Sequence, residues 1–79
     1  MNNLVELTNT VMQTISEAID VPEEKINSDA AMGVTEKWDS LGQLNLILLL
    51  EEKFDLVIPD DLVPSLTSLE TIVAWLSQG

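Results

Sequence analysis

The residue best placed for chemistry is Ser40, which stands between a polar turn and a long apolar stretch. Residues 38–54 read WDSLGQLNLILLLEEKF, so the hydroxyl directly precedes an apolar helix. A serine nucleophile needs a neighbouring base, and the chain contains no histidine to supply one. A modified serine needs no base of its own, because the modifying enzyme provides it. A phosphate at this position would lie at a helix N-terminus, where free amides and the helix dipole favour negative charge.

The same serine also has a purely structural explanation. Ser40-Leu41-Gly42-Gln43 fits the S-x-x-Q capping box, in which the serine caps the helix and the glutamine reaches back. The pattern alone therefore leaves two roles open for Ser40, a helix cap and a modification site.

Composition and charge narrow the classes of function. The chain has 79 residues, 46% of them hydrophobic and 4% aromatic, which predicts one aliphatic helical domain over residues 1–79. Fourteen acidic residues against three basic ones give a net charge of -11. This charge disfavours nucleic acid and favours a protein partner with a basic surface. The absence of cysteine excludes a disulfide, a thiolate nucleophile and a soft metal site. Asn27, Asp29 and Gly33 lack the spacing of a calcium-binding loop, so we expect no metal.

The sequence has neither the pattern of a secretory signal nor that of a membrane-spanning helix. Glu6 interrupts the start of the chain, and no basic region precedes an apolar run as a signal sequence requires. The apolar run Leu46 to Leu50 is too short to cross a bilayer. We expect a cytoplasmic monomer without membrane insertion.

A first helix and a long connection are predicted to precede Ser40. Residues 3–19 have apolar side chains at helical spacing, with Asn3 as the candidate cap. Residues 21–38 form the connection, whose predicted anchors in the core are Val21, Ile26, Ala31 and Met32. Trp38, directly before Asp39, is either a loop anchor, which we favour, or a specificity contact.

Three further helices are predicted to follow. The second runs from about Ser40 to Lys53, and its predicted core stripe is Leu44, Ile47, Leu48 and Phe54. A short third helix spans Asp60 to Leu66, with Val63 and Leu66 facing inward. The last begins at a capping box with Thr67 as the cap and Glu70 reaching back, and its core stripe is Leu69, Ile72, Val73 and Leu76.

The pattern around Ser40 resembles that of the acyl carrier protein family. The residues that carry the resemblance are Asp39-Ser40-Leu41, Leu44-x-Leu46-Ile47-x-x-Leu50, Glu51-Glu52-x-Phe54-Asp55 and Ile58-Pro59-Asp60. With the length and acidity of the chain, the resemblance covers essentially the whole sequence. It implies an all-α, four-helix bundle with a short third helix and a long loop between helices one and two.

The resemblance also implies a function. Ser40 would carry a 4′-phosphopantetheine arm from coenzyme A, and the arm's thiol would hold acyl groups as thioesters. The chain would be a carrier and not an enzyme. Its partners would be a phosphopantetheinyl transferase and the basic surfaces of enzymes that load and transfer acyl groups.

Two further sets of residues follow from the resemblance by position. The set that would face partner enzymes is Asp39, Leu41, Leu48, Glu51, Glu52, Asp60 and Val63. The set that would line a pocket for the acyl chain is Leu46, Ile47, Leu50, Ile58, Val63 and Leu66. Each member of the second set is equally a candidate for ordinary core.

Several residues depart from the family pattern. Many fatty-acid carriers have Leu-Gly where this chain has Glu36-Lys37, and acids where it has Gly42 and Asn45, while Lys53 interrupts the acidic run. These departures favour a carrier dedicated to a specialised lipid, polyketide or glycan-modification pathway. One alternative is a peptidyl or aminoacyl carrier, although the glycines that often precede its serine are missing. The other is an unmodified helical protein-interaction module in which Ser40 is only a cap.

Overall fold

The computed structural model describes residues 4–78 of the chain. Its three α-helices are α1 (Leu4–Ile19), α2 (Ser40–Phe54) and α3 (Leu69–Gln78). A one-turn 3₁₀ helix, Glu23–Lys25, lies in the long connection, and a second 3₁₀ helix, Asp60–Ser65, precedes α3. The predicted all-α bundle with a short third helix is confirmed. The predicted cap Asn3 lies outside the described residues.

Helix α1 packs against both α2 and α3, and its apolar face supplies much of the core. The buried residues recur at the three- and four-residue spacing that places side chains on one face of a helix. The buried hydrophobic residues of the three helices are Val11, Ile15, Ala18, Ile19, Leu46, Ile47, Leu50, Leu69 and Ile72. In residues 4–78, no helix is both long and apolar enough to cross a membrane.

The predicted core stripe of α2 is wrong for two of its four residues. Leu44 and Leu48 are 56% and 57% exposed, whereas Ile47 is buried and Phe54 is half-buried. The buried face instead comprises Gly42, Gln43, Leu46, Ile47 and Leu50. A helix that is apolar on nearly every side carries little periodic signal, so its neighbours in the fold decide which side is covered.

The long connection is anchored at Val21 and Ile26, which are both buried as predicted. Ala31 and Met32 are only half-buried, and Ala30 is the buried residue instead. The reason is backbone pairing with the start of α3: the Met32 N–H donates to the Thr67 carbonyl at 2.8 Å, and the Leu69 N–H donates to the Ala30 carbonyl at 2.9 Å.

The capping box of α3 lies one residue later than predicted. The Ser68 hydroxyl accepts a hydrogen bond from the Thr71 N–H at 3.1 Å, and the Thr71 hydroxyl accepts one from the Ser68 N–H at 3.2 Å. Ser68 is therefore the cap in place of Thr67, and Thr71 closes the box in place of Glu70. Serine and threonine are both good caps, so the sequence permitted either register.

The segment between α2 and α3 returns across the bundle to α2. Ile58 and Leu66 are buried, while Val63 is half-buried and so only partly fits its predicted inward position. We refer to residues 58–66, which include the 3₁₀ helix, as the return segment.

Candidate functional site at Ser40

Asp39, not Ser40, caps the N-terminus of α2. The Asp39 Oδ1 atom accepts a hydrogen bond from the Gly42 N–H at 2.9 Å, and the Asp39 carbonyl accepts one from the Gln43 N–H at 2.8 Å. The prediction that Ser40 could be the cap is therefore wrong. Aspartate also interacts favourably with the helix dipole at this end, and it is as good a cap as serine.

Because Asp39 takes the cap, Ser40 becomes the first residue of α2 and its side chain is exposed. No hydrogen bond within residues 4–78 uses the Ser40 hydroxyl. The backbone N–H groups of Ser40 and Leu41 are among the first four of the helix, which have no partner within it. The site therefore combines an accessible hydroxyl with helix amides that can face a negative group.

Gly42 allows the start of α2 to approach α1 and the preceding loop. A Cβ atom at this position would lie 2.7 Å from the Lys37 carbonyl oxygen and 2.9 Å from the Ile19 Cγ2 atom. Both distances are shorter than van der Waals contact, so any larger residue would displace the turn that presents Ser40. The sequence marks Gly42 only as a departure from the family pattern, and the close contacts at this position emerge from the tertiary structure.

Trp38 is a buried anchor for the loop before Ser40, with only 1% of its surface exposed. Its indole Nε1–H donates to the Gln43 Oε1 atom at 2.7 Å. The loop-anchor interpretation of Trp38 is therefore confirmed. Gln43 is 5% exposed and does not reach back to a cap, so its predicted place in a capping box is wrong.

Gln43 joins three parts of the molecule. Its Nε2 group donates to the Val63 carbonyl at 3.1 Å and to the Leu66 carbonyl at 2.9 Å. Together with the bond from Trp38, these contacts use the amide oxygen and both amide hydrogens. This role was not predicted from the sequence, although an amide side chain within an otherwise apolar run was a signal that could have indicated it.

The residues expected to face partners lie in different environments. Leu41, Leu48, Asp39, Glu52 and Asp60 are exposed, whereas Glu51 and Val63 are half-buried. The Glu51 Oε2 atom accepts a hydrogen bond from the Ile58 N–H at 2.8 Å, so this carboxylate has a role within the fold.

An apolar stripe runs along the exposed side of α2. Leu41 is 68% exposed, and with Leu44 and Leu48 it repeats at spacings of three and four residues, which place all three side chains on one face. We call Leu41, Leu44 and Leu48 the leucine stripe. The sequence pattern predicts Leu44 in the core, so its place in this stripe was not predicted.

The six residues expected to line an acyl pocket do come together, but as packed core. All except Val63 are buried, and Val63 packs against the same cluster. Surface grooves lie elsewhere: one is between α1 and α3, and a smaller one is beside Asp39 and Gly42.

Two of the three lysines form ion pairs with acidic side chains at the surface. Lys53 pairs with Glu17 at 3.0 Å and Lys25 pairs with Glu36 at 3.9 Å. The other basic residue, Lys37, lines the groove beside Asp39 and Leu41. No group of acidic side chains in the described part of the chain is arranged to hold a metal ion.

Comparison with known proteins identifies the family. The sequence model described as "Phosphopantetheine attachment site" matches residues 9–76. The chain belongs to the acyl carrier protein family. An acyl carrier protein of Guillardia theta is 32% identical over 76 residues, which cover 96% of this chain and 94% of the relative. One from Cyanidioschyzon merolae is 29% identical over 73 residues, covering 92% and 80% respectively.

Membership confirms the resemblance and the cofactor that it implied. Proteins of this kind bear a 4′-phosphopantetheine group and act as carriers, so the chain is not an enzyme. It is expected to interact with a phosphopantetheinyl transferase and with enzymes that act on the carried acyl groups. The comparisons do not favour an unmodified interaction module.

Proposed function

We propose that Ser40 is the residue that carries the 4′-phosphopantetheine arm. The observation that supports this best is that Asp39, and not Ser40, caps α2. The Ser40 hydroxyl is therefore exposed and makes no hydrogen bond within residues 4–78. When attached, the arm supplies a thiol that holds an acyl group as a thioester.

The surroundings of Ser40 suit a phosphodiester. Its negative charge would lie at the positive end of α2, beside the backbone N–H groups of Ser40 and Leu41. Lys37 lies on the adjoining groove and adds a positive charge to an otherwise acidic surface. Asp39 is the nearest acid in sequence, and its Oδ1 atom already accepts from the Gly42 N–H.

Partner enzymes would bind the leucine stripe. Between Ser40 and Leu50 the helix carries no charged residue, whereas acids precede and follow this stretch at Asp39, Glu51 and Glu52. A complementary partner would offer an apolar recess for the leucines and basic side chains around it. Burial of the leucines would supply affinity, and the surrounding charges would mainly raise the association rate.

The remaining proposed contacts are secondary to the leucine stripe. Glu52 and Asp60 are exposed and can meet basic residues directly, while Glu51 and Val63 would contribute the accessible parts of half-buried side chains. Single exposed ion pairs are worth little, so these positions would tune specificity more than affinity.

The pathway is proposed to be a specialised one that uses lipid, polyketide or glycan-modification chemistry. The support is the apolar character of the exposed face of α2, where Asn45 stands in place of an acid. A partner adapted to a strongly acidic helix would leave its own buried charges unpaired against this surface, which opposes binding.

The test of attachment is the intact mass after incubation with coenzyme A, magnesium and a phosphopantetheinyl transferase. The wild-type chain should gain one phosphopantetheine, and Ser40→Ala should gain none. Ser65→Ala, which also removes an exposed serine hydroxyl, is the matched control and should be modified like the wild type. Modification of Ser40→Ala, or none of the wild type with several transferases, would overturn the proposal.

A further inference from the structure

The return segment forms one side of the region in which an acyl chain is expected from the family resemblance. Among the six candidate pocket residues, Leu46, Ile47 and Leu50 belong to α2, and Ile58, Val63 and Leu66 belong to the return segment. A chain placed among them would have to separate the return segment from α2.

The return segment is fastened to α2 at both ends. Near the start of α2, the Gln43 amide donates to the carbonyls of Val63 and Leu66 at 3.1 and 2.9 Å. Near the end of α2, the Glu51 carboxylate accepts from the Ile58 N–H at 2.8 Å. We call the interface between α2 and the return segment the seam. Gln43 and Glu51 lie eight residues apart on α2, so their hydrogen bonds lie at the two ends of the seam.

Packed apolar side chains occupy the seam between the hydrogen bonds of Gln43 and that of Glu51. Leu46 and Leu50, which lie on the buried face of α2 between Gln43 and Glu51, expose at most 1% of their surface. Since protein interiors are packed to near-crystalline density, admitting several methylene groups here requires the walls to move apart.

Trp38 stabilises the hydrogen bonds that Gln43 makes to the return segment. The indole N–H occupies the Gln43 Oε1 atom at 2.7 Å, which fixes the orientation of the amide so that its N–H groups face the return segment. Opening the seam would leave buried amide hydrogens and the Leu66 carbonyl without partners, which is costly in a low-dielectric interior.

We propose that Trp38 and Gln43 form a clamp that closes the core to the acyl group, so that this carrier serves short acyl groups held outside the bundle. This inference rests on the proposed attachment at Ser40. A short group outside the core remains accessible to a partner bound at the leucine stripe, and it exposes little apolar surface to water.

The experiment compares the acetyl and octanoyl forms of the carrier. A transferase that accepts acyl-coenzyme A would load each group, and intact mass would establish loading at Ser40 before any other measurement. The thermal midpoint of unfolding, Tm, is then measured for both forms. Hydrogen exchange of the amides in residues 62–66 is followed in parallel.

The clamp predicts that Tm of the two forms differs by less than about 1 °C, with unchanged amide protection in residues 62–66. An octanoyl chain buried in the core would instead raise Tm by about 5 °C or more, and that result would overturn the inference. Failure of loading itself would count against attachment at Ser40, so the two proposals fail in different ways.

Gln43→Ala tests the clamp itself, with Gln13→Ala, an exposed glutamine of α1, as the matched control. Once Gln43 is truncated, the octanoyl form should become more stable than the acetyl form by several degrees, whereas Gln13→Ala should behave like the wild type. Equal Tm values for the two forms of Gln43→Ala would show that the clamp does not exclude the chain. If Gln43→Ala does not fold, Trp38→Phe keeps the packed ring but removes the N–H, and the same two outcomes apply to it.

Discussion

The two faces of α2 contrast in a way opposite to the usual amphipathic helix. The buried face contains a polar residue, Gln43, whereas the exposed face carries three leucines at positions 41, 44 and 48. Burial of the glutamine is favourable because every hydrogen-bonding group of its amide has a partner. Within residues 4–78, nothing covers these three leucines. The contrast indicates that one face holds the fold together and the other is available for binding.

The sharpest test of this contrast compares two leucines that are two positions apart. Leu46→Ala should lower the free energy of unfolding by about 2–5 kcal/mol, because it leaves a cavity in the core. Leu48→Ala removes the same atoms from the exposed face and should change it by less than about 0.5 kcal/mol. Urea denaturation of both variants measures the difference, and equal losses would remove the distinction between the faces.

The same comparison can be made with two amide residues of α2, the buried Gln43 and the exposed Asn45. Gln43→Leu should lower the free energy of unfolding by about 1–3 kcal/mol, since it leaves the Trp38 N–H and two carbonyls without their side-chain partner. Asn45→Leu makes a similar change at an exposed position and should leave stability within about 0.5 kcal/mol. Denaturant titrations check both values. A Gln43→Leu variant as stable as the wild type would show that the buried amide is not needed.

The leucine stripe should matter for binding and not for folding. Leu44→Ala should weaken association with a partner enzyme about tenfold, which corresponds to about 1.4 kcal/mol of lost apolar burial. Its free energy of unfolding should stay within about 0.5 kcal/mol of the wild type. Isothermal titration at two salt concentrations measures the affinity. Gln13→Ala on α1 is the control, and an effect of equal size there would contradict a dedicated face.

The smallest expected effect is the difference in stability between variants of Asp39 and Ser40, the two residues at the start of α2. Asp39→Ala should destabilise the chain by about 1 kcal/mol through loss of the helix cap. Ser40→Ala should have almost no effect, because alanine is the better helix former at a position that caps nothing. The reverse order in thermal unfolding would restore Ser40 as the cap.

Much of the site was predictable because it depends on local order along the chain. The segment Asp39-Ser40-Leu41 followed by an apolar run marks the start of a helix, and it carries the resemblance to carriers. The boundaries of α1, α2 and α3 fall within a few residues of the predicted ones, since proline and capping signals act locally. The choice between neighbouring caps was not predictable in the same way. Asp39 and Ser40, like Thr67 and Ser68, have nearly equal propensities.

The sequence alone determined the helical class, the family, the cofactor type and a strongly acidic surface, because these depend on composition and on motifs a few residues long. Only the tertiary structure decided which side of α2 is buried, that Gln43 joins Trp38 to the return segment, and that Gly42 is required beside Lys37 and Ile19. Each of those outcomes depends on which elements pack against α2. A helix with leucines on almost every side does not specify its own neighbours.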